Sequence, residues 1–241
     1  MLKALIFDVD GTLADTERDG HRVAFNAAFR DAGLGWNWDA RLYGELLTVA
    51  GGKERMAHYA RLHAPALAAR TDFDALMRKV HILKTSHYVH LVESGALPLR
   101  PGVGNMIRAA RKAGLKLAIS STTSPENVSA LLRASLAHDA ESWFDVIAAG
   151  DIVPAKKPAP DIYLWVLERL GVQAADCLAV EDSGNGLKAA LAAGIPTVVT
   201  ANDYTRGQDF SGAVAVLPDF AATTLAELQD LHSAYGRHHK I

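Results

Sequence analysis

From residue 104 to residue 217 short apolar runs alternate with amphipathic stretches, and few folds accommodate that rhythm. Strand-like runs occupy 115–120, 146–149, 177–180, 197–199 and 214–217. The stretches 104–113, 125–136, 161–170 and 184–193 read as helices, and three of them stop at Gly114, Gly171 and Gly194. Glycine is a common helix stop because it takes the left-handed conformation without steric cost. Strands interleaved with helices predict an α/β fold, a doubly wound parallel sheet of Rossmann-like form. Residues 2–7 form one more apolar run at the N-terminus, as expected of a strand buried on both faces.

Residues 16–96 break the rhythm. The stretches 16–32, 40–47, 53–63 and 72–93 read as helix, and none of this region reads as strand. Residues 93–102 are rich in Gly and Pro and read as a return linker. The expected organisation is a core formed by 1–15 and 97–241, with a helical cap domain, 16–96, inserted after the first strand. Such an insert stands above the carboxyl edge of the sheet, where a lid belongs. The Ala/Pro-rich 64–75 stretch reads as a variable connection, and 236–241 reads as a solvated end.

Composition narrows the partners. A net charge of −2 offers no electrostatic case for nucleic acid or an anionic membrane. No apolar run approaches the roughly 18 residues of a membrane span. Cys177 is the only cysteine, so no internal disulfide is possible, and it reads as a small core residue. The chain starts directly on a core strand, so a cytoplasmic monomer acting on a small molecule is expected.

Four strand ends carry chemistry. The first run ends in Asp8-Val9-Asp10-Gly11-Thr12. Alternation along an extended chain sends Asp8 and Asp10 to one side, and ligands of open α/β sheets bind beyond the carboxyl ends of the strands. Two carboxylates in one crevice repel each other and call for a cation. An all-oxygen site suits Mg²⁺. The second strand end is Ser120-Ser121-Thr122-Thr123-Ser124, hydroxyls that form either a phosphate cradle or an ordinary helix cap. The third is Lys156-Lys157-Pro158-Ala159-Pro160, in which the prolines stiffen the loop that carries a lysine. The fourth is Glu181-Asp182-Ser183-Gly184, two acids that either complete a carboxylate cage or cap the next helix. Each has a plain reading alone; together they favour one anion-handling, metal-dependent site.

The order and strand contexts of Asp8-x-Asp10-Gly11-Thr12, Ser121, Lys157-Pro158 and Glu181-Asp182 resemble the haloacid dehalogenase-like hydrolase superfamily. The helical insert resembles the cap of its sugar-phosphate branch. The resemblance implies a phosphatase with Asp8 as nucleophile, forming an aspartyl-phosphate, and Asp10 as general acid and then base. It implies Mg²⁺ held by Asp8, the backbone carbonyl of Asp10 and Asp182, with Glu181 in support. Ser121 and Lys157 would hold the phosphoryl oxygens.

The cap bears on the substrate. Gly51-Gly52-Lys53-Glu54-Arg55 opens a helix with two cations in its first turn, where the dipole disfavours them, so an anion nearby is expected. His81 and Lys84 share a helix face, and Glu17 and His21 lie where the chain enters the cap. A second anion site facing the first would suit a sugar carrying two phosphates, with Glu17 accepting from its hydroxyls.

More narrowly, 16–21, 43–47, 51–56, 99–103 and 121–124 resemble CbbY-like proteins, described as xylulose-1,5-bisphosphate phosphatases. This implies substrate contacts at Glu17, at Gly51, Gly52, Lys53, Glu54 and Arg55, at His81 and Lys84, and at Ser121, Thr122, Thr123, Ser124 and Asn127. A β-phosphoglucomutase-like enzyme shares the core motifs, as does a broad sugar monophosphate phosphatase, and the product discriminates among them. A non-catalytic sensor would not need the intact set Asp8, Asp10, Lys157 and Asp182.

Overall fold

A computed structural model of the chain describes residues 1–238, so the last three positions of the expected solvated end lie outside the described residues. Six parallel strands form one sheet: β1 (Ala4–Phe7), β2 (Lys116–Ser121), β3 (Val146–Ala149), β4 (Cys177–Glu181), β5 (Thr197–Thr200) and β6 (Ala215–Leu217). Their spatial order is β3-β2-β1-β4-β5-β6, the doubly wound arrangement in which the order reverses between β1 and β4. In β1, Leu5 and Phe7 enter one core layer while Ala4 and Ile6 enter the other, the period-two alternation of a strand. Helices α6 (Val103–Lys112), α7 (Pro125–Ser135) and α10 (Leu225–His238) cover the first face. Helices α8 (Asp161–Leu170) and α9 (Gly184–Ala192) cover the second.

The cap follows β1. It comprises α1 (Arg22–Asp31), α2 (Ala40–Leu46), α3 (Gly52–His63), the short α4 (Pro65–Ala68) and α5 (Phe73–Glu93). Its apolar centre is aromatic, with Phe25, Phe29, Trp38 and Tyr43 packed with Met56 and Val80. The expected helix over 16–32 is two elements. Glu17–His21 forms a single π-helical turn before α1 begins at Arg22. Such wide turns re-aim side chains and recur at functional sites. The turn packs closely at Gly20, where a Cβ would stand 2.7 Å from Leu97 Cδ1. Part of the expected variable connection at 64–75 is also helical, as α4.

The two chain segments joining cap and core run side by side, with Ala14 bridged antiparallel to Leu99. The backbone N–H of Arg100 donates to the Leu13 carbonyl at 2.8 Å. The buried Arg100 guanidinium donates to the carbonyls of Gly11, Thr200, Ala201 and Pro218. The return linker is thereby tied to the turn after β1 and to the end of β5.

Candidate active site

The reversal of strand order opens a crevice at the carboxyl ends of β1 and β4, and the acids meet there. Asp8 lies one residue past β1, and its backbone N–H donates to Val180 on β4 at 2.9 Å. Glu181 ends β4 and Asp182 follows it. The buried Lys157 spends its ammonium on three acceptors: Asp8 Oδ1 at 2.7 Å, Glu181 Oε1 at 2.6 Å and the Ser120 carbonyl at 2.8 Å. Tyr163 Oη also donates to Glu181 Oε1, at 2.5 Å. Asp182 Oδ2 accepts from Asn202 Nδ2 at 2.6 Å. Gly11, at φ +85°, makes the turn, and a Cβ there would collide with the Asp182 carboxylate. Gly186 likewise leaves the space that Glu181 fills.

Charge in this cluster is not balanced. Asp8, Glu181 and Asp182 bring carboxylate oxygens within 4.8 Å of one another, and among the described residues Lys157 is the one ammonium bonded to them. Burial pushes the Asp8 carboxyl well above its usual range, against the pull of Lys157. Burial, then Asp8 and Glu181, push Asp182 up as well. Carboxylates that resist ionisation side by side are stabilised by a cation, and this compact oxygen donor set fits a hard divalent ion.

Asp10 points elsewhere. Its Oδ1 accepts from Thr16 Oγ1 at 2.6 Å and lies 2.7 Å from His21 Nε2. Lys84 Nζ lies 2.8 Å from His21 Nδ1. An ammonium can only donate, so in the contact with Lys84 Nδ1 accepts, and Nε2 presents its hydrogen to Asp10. Tyr88 stacks on the imidazole with ring centroids 4.2 Å apart. Burial raises the Asp10 carboxyl, but the electrostatic pull and hydrogen bond of His21 and the bond from Thr16 overcome it, leaving Asp10 well below the usual range. Burial drives the Lys84 amine down to about 8, against Asp10 and Glu17.

The cap closes the other side. Asp8, Asp10, Ser121, Lys157, Glu181 and Asp182 share with Glu17, Gly51, Arg55 and Thr122 a cavity of about 410 Å³. A small recess beside it brings His21, His81 and Lys84 to Gly52, Thr123, Ser124 and Asn127. The buried Arg55 donates to Tyr43 Oη at 2.8 Å and to the Leu46 carbonyl at 3.2 Å. Burial, then the nearby cations Lys84, Lys53 and Lys156, lower His81 to about 4, so near neutral pH it offers hydrogen bonds and no charge. Asn127 donates to Thr123 Oγ1 at 2.9 Å, while its buried Oδ1 has no hydrogen-bond partner among the described residues.

A family model for haloacid dehalogenase-like hydrolases matches residues 2–194. The chain belongs to this hydrolase family. Protein CbbY, plasmid, of Cupriavidus necator is 55% identical over 217 residues, covering 90% of this chain and 85% of the relative. The crystal structure of CbbY from Rhodobacter sphaeroides in complex with phosphate superposes with a TM-score of 0.87 at 45% identity, covering 95% of this chain and 100% of that one. A mutant of the same CbbY in complex with xylulose-(1,5)bisphosphate superposes equally well, covering 99% of its own length. The hydrolase is thus a phosphatase of the CbbY type.

Two of the expected cap contacts, Lys53 and Glu54, sit outside the cavity walls of the hydrolase. Lys53 pairs with Asp151 of the core, and Glu54 pairs with Lys156 at 3.0 Å, itself 2.8 Å from Asp151. The anion expected near Lys53 is therefore, within the chain, a carboxylate brought from the loop after β3. The hydroxyl cluster realises both of its readings. Ser124 caps α7 by accepting from the Asn127 N–H, whereas Ser121 and Thr122 line the cavity. Thr16, Tyr43, Tyr163 and Asn202 received no role from sequence reasoning. Tyr163 stands 18 residues before Glu181 and Asn202 stands 20 after Asp182, so no local motif marks either.

Proposed function

We propose that the enzyme is a Mg²⁺-dependent sugar bisphosphate phosphatase that hydrolyses xylulose 1,5-bisphosphate to xylulose 5-phosphate and inorganic phosphate. One observation carries the reading: Lys157 of the core and Arg55 of the cap line one cavity of about 410 Å³, and Lys84 lines the recess beside it. Cations from core and cap suit a ligand with a phosphate at each end. The bisphosphate bound to the R. sphaeroides CbbY mutant supports the choice of sugar.

Asp8 is the nucleophile. Lys157 engages its Oδ1, leaving the other oxygen to attack phosphorus. As the Asp8–phosphorus bond forms, the bond to the sugar oxygen breaks and Asp10 gives that oxygen a proton. A water then attacks the aspartyl-phosphate, Asp10 takes its proton, and phosphate leaves Asp8. The low proton affinity of Asp10 in the free enzyme suits the second step, and a bound phosphate dianion beside it raises that affinity for the first. Ser121, Thr122 and Lys157 hold phosphoryl oxygens as charge spreads over them. Asp8, the Asp10 carbonyl and Asp182, with Glu181 in support, would hold Mg²⁺, which when bound supplies further charge neutralisation. At the sugar, Glu17 accepts from hydroxyls, and the cap, 16–96, shuts out bulk water.

The test is phosphate release from xylulose 1,5-bisphosphate with Mg²⁺ and with a chelator. Release that needs Mg²⁺, with xylulose 5-phosphate as co-product, is expected. Isomerised sugar phosphate without net phosphate, or turnover in chelator, would remove the assignment.

A further inference from the structure

The Tyr43 phenol sits between two charges that sequence reasoning treats separately. It donates to Glu17 Oε2 at 2.5 Å and accepts from Arg55 NH1 at 2.8 Å. The two charged groups are 3.9 Å apart at their nearest atoms, beyond hydrogen-bond reach. Glu17 and Arg55 both line the cavity, and Tyr43 does not. Its ring is fully buried, packed against Phe25 and Trp38 with the Arg55 guanidinium over its face at 5.2 Å.

We propose that Tyr43 is a positioning residue, a spacer that holds Glu17 and Arg55 apart so that both stay available to substrate. The physical case is competition. A buried carboxylate and a guanidinium in reach of each other form a bidentate pair that consumes the donors and acceptors of both. The phenol blocks that outcome by giving each charge one hydrogen bond and occupying the space between them. Burial and the neighbouring Glu17 carboxylate push the Tyr43 hydroxyl well above its ordinary range, so it keeps the proton it donates. Tyrosine suits the position because its hydroxyl both donates and accepts, and its ring is anchored in the cap core.

The inference rests on the reading that Arg55 grips the second phosphate, so two variants are compared. Tyr43→Phe keeps the ring and deletes only the bridging oxygen; Arg55→Ala deletes the grip itself. Each is assayed with xylulose 1,5-bisphosphate and with a sugar monophosphate, alongside its thermal midpoint. Tyr43→Phe should raise KM for the bisphosphate roughly tenfold or more, the scale of one hydrogen bond to a charged group. Its kcat should fall far less, its preference over the monophosphate should shrink, and the midpoint should stay close to that of the parent. If Arg55→Ala loses the bisphosphate preference while Tyr43→Phe keeps its KM, the spacer is wrong and the grip stands. If Arg55→Ala costs both substrates equally, the grip is wrong and the spacer falls with it. A Tyr43→Phe enzyme that loses kcat and thermal midpoint together, with KM unchanged, would mark Tyr43 as structural only and overturn the proposal.

Discussion

His21 Nε2 lies 2.7 Å from Asp10 Oδ1, and this contact joins the cap entrance to the acid that must handle protons. On the far side of the ring Lys84 binds Nδ1, so one cap helix controls which way the imidazole faces.

Removing that imidazole should move a pH profile. His21 is the largest influence holding Asp10 below the usual carboxylate range, so in His21→Gln the proton affinity of Asp10 rises. Its ionised form, needed as base in the second step, is then lost at higher pH. The acid limb of kcat against pH should shift upward by about one to two units. A limb that stays in place would show that His21 does not tune Asp10.

Replacing the nucleophile should stop chemistry and spare the fold. Asp8→Asn still offers an amide oxygen to Lys157 and removes one charge from a crowded cluster. Phosphate release should fall by roughly 10³-fold or more, with the thermal midpoint retained. Near-normal turnover would remove Asp8 from the mechanism.

The acidic cluster predicts opposite effects with and without metal. Asp182→Asn relieves repulsion with Asp8 and Glu181, so the metal-free variant should unfold at higher temperature than the metal-free parent. The parent should gain from Mg²⁺ by mass action, about 2.7 kcal/mol at a hundred times Kd, and the variant much less. Thermal unfolding across a Mg²⁺ titration reads both signs. Equal metal shifts in the two proteins would exclude Asp182 as a ligand.

Lys84 predicts a stability effect on the alkaline side. Its amine sits near 8 in the fold against 10.5 when free, so between those values the unfolded chain binds more protons. Stability of the parent should therefore rise from pH 8 toward 10.5 by up to a few kcal/mol relative to Lys84→Met, with the cost of the buried charge fully present below pH 8. Urea midpoints of the two proteins at pH 7.5 and 10 provide the comparison. Parallel behaviour would show that Lys84 is not the titrating group.

Local patterns were enough for the strands and helices, because burial on both faces of a parallel sheet leaves a run of apolar residues that ends abruptly at the crevice. Asp8, Lys157 and Glu181-Asp182 were legible for that reason: each stands where such a run, or the stiff loop beyond it, stops. Residue 17 to residue 21 was not legible as a π turn, since its residues are compatible with an ordinary helix. Within the wide turn Gly20 packs against Leu97 and Tyr88, which lie far along the chain. Lys53 was legible only in part. Its place in a helix's first turn signals an anion but not which one, and Asp151, 98 residues away, is the anion it meets.

By itself the sequence determined the sheet, the helical insert and the acids and lysine of the core, because periodicity and strand-end chemistry are local. Tertiary structure alone decided who speaks to whom across long separations. Lys157 reaches Asp8 over 149 residues, Lys84 reaches His21 over 63, and Tyr43 stands between Glu17 and Arg55. Those pairings set proton affinities and charge availability, and both depend on distance and burial, which no sequence spacing encodes.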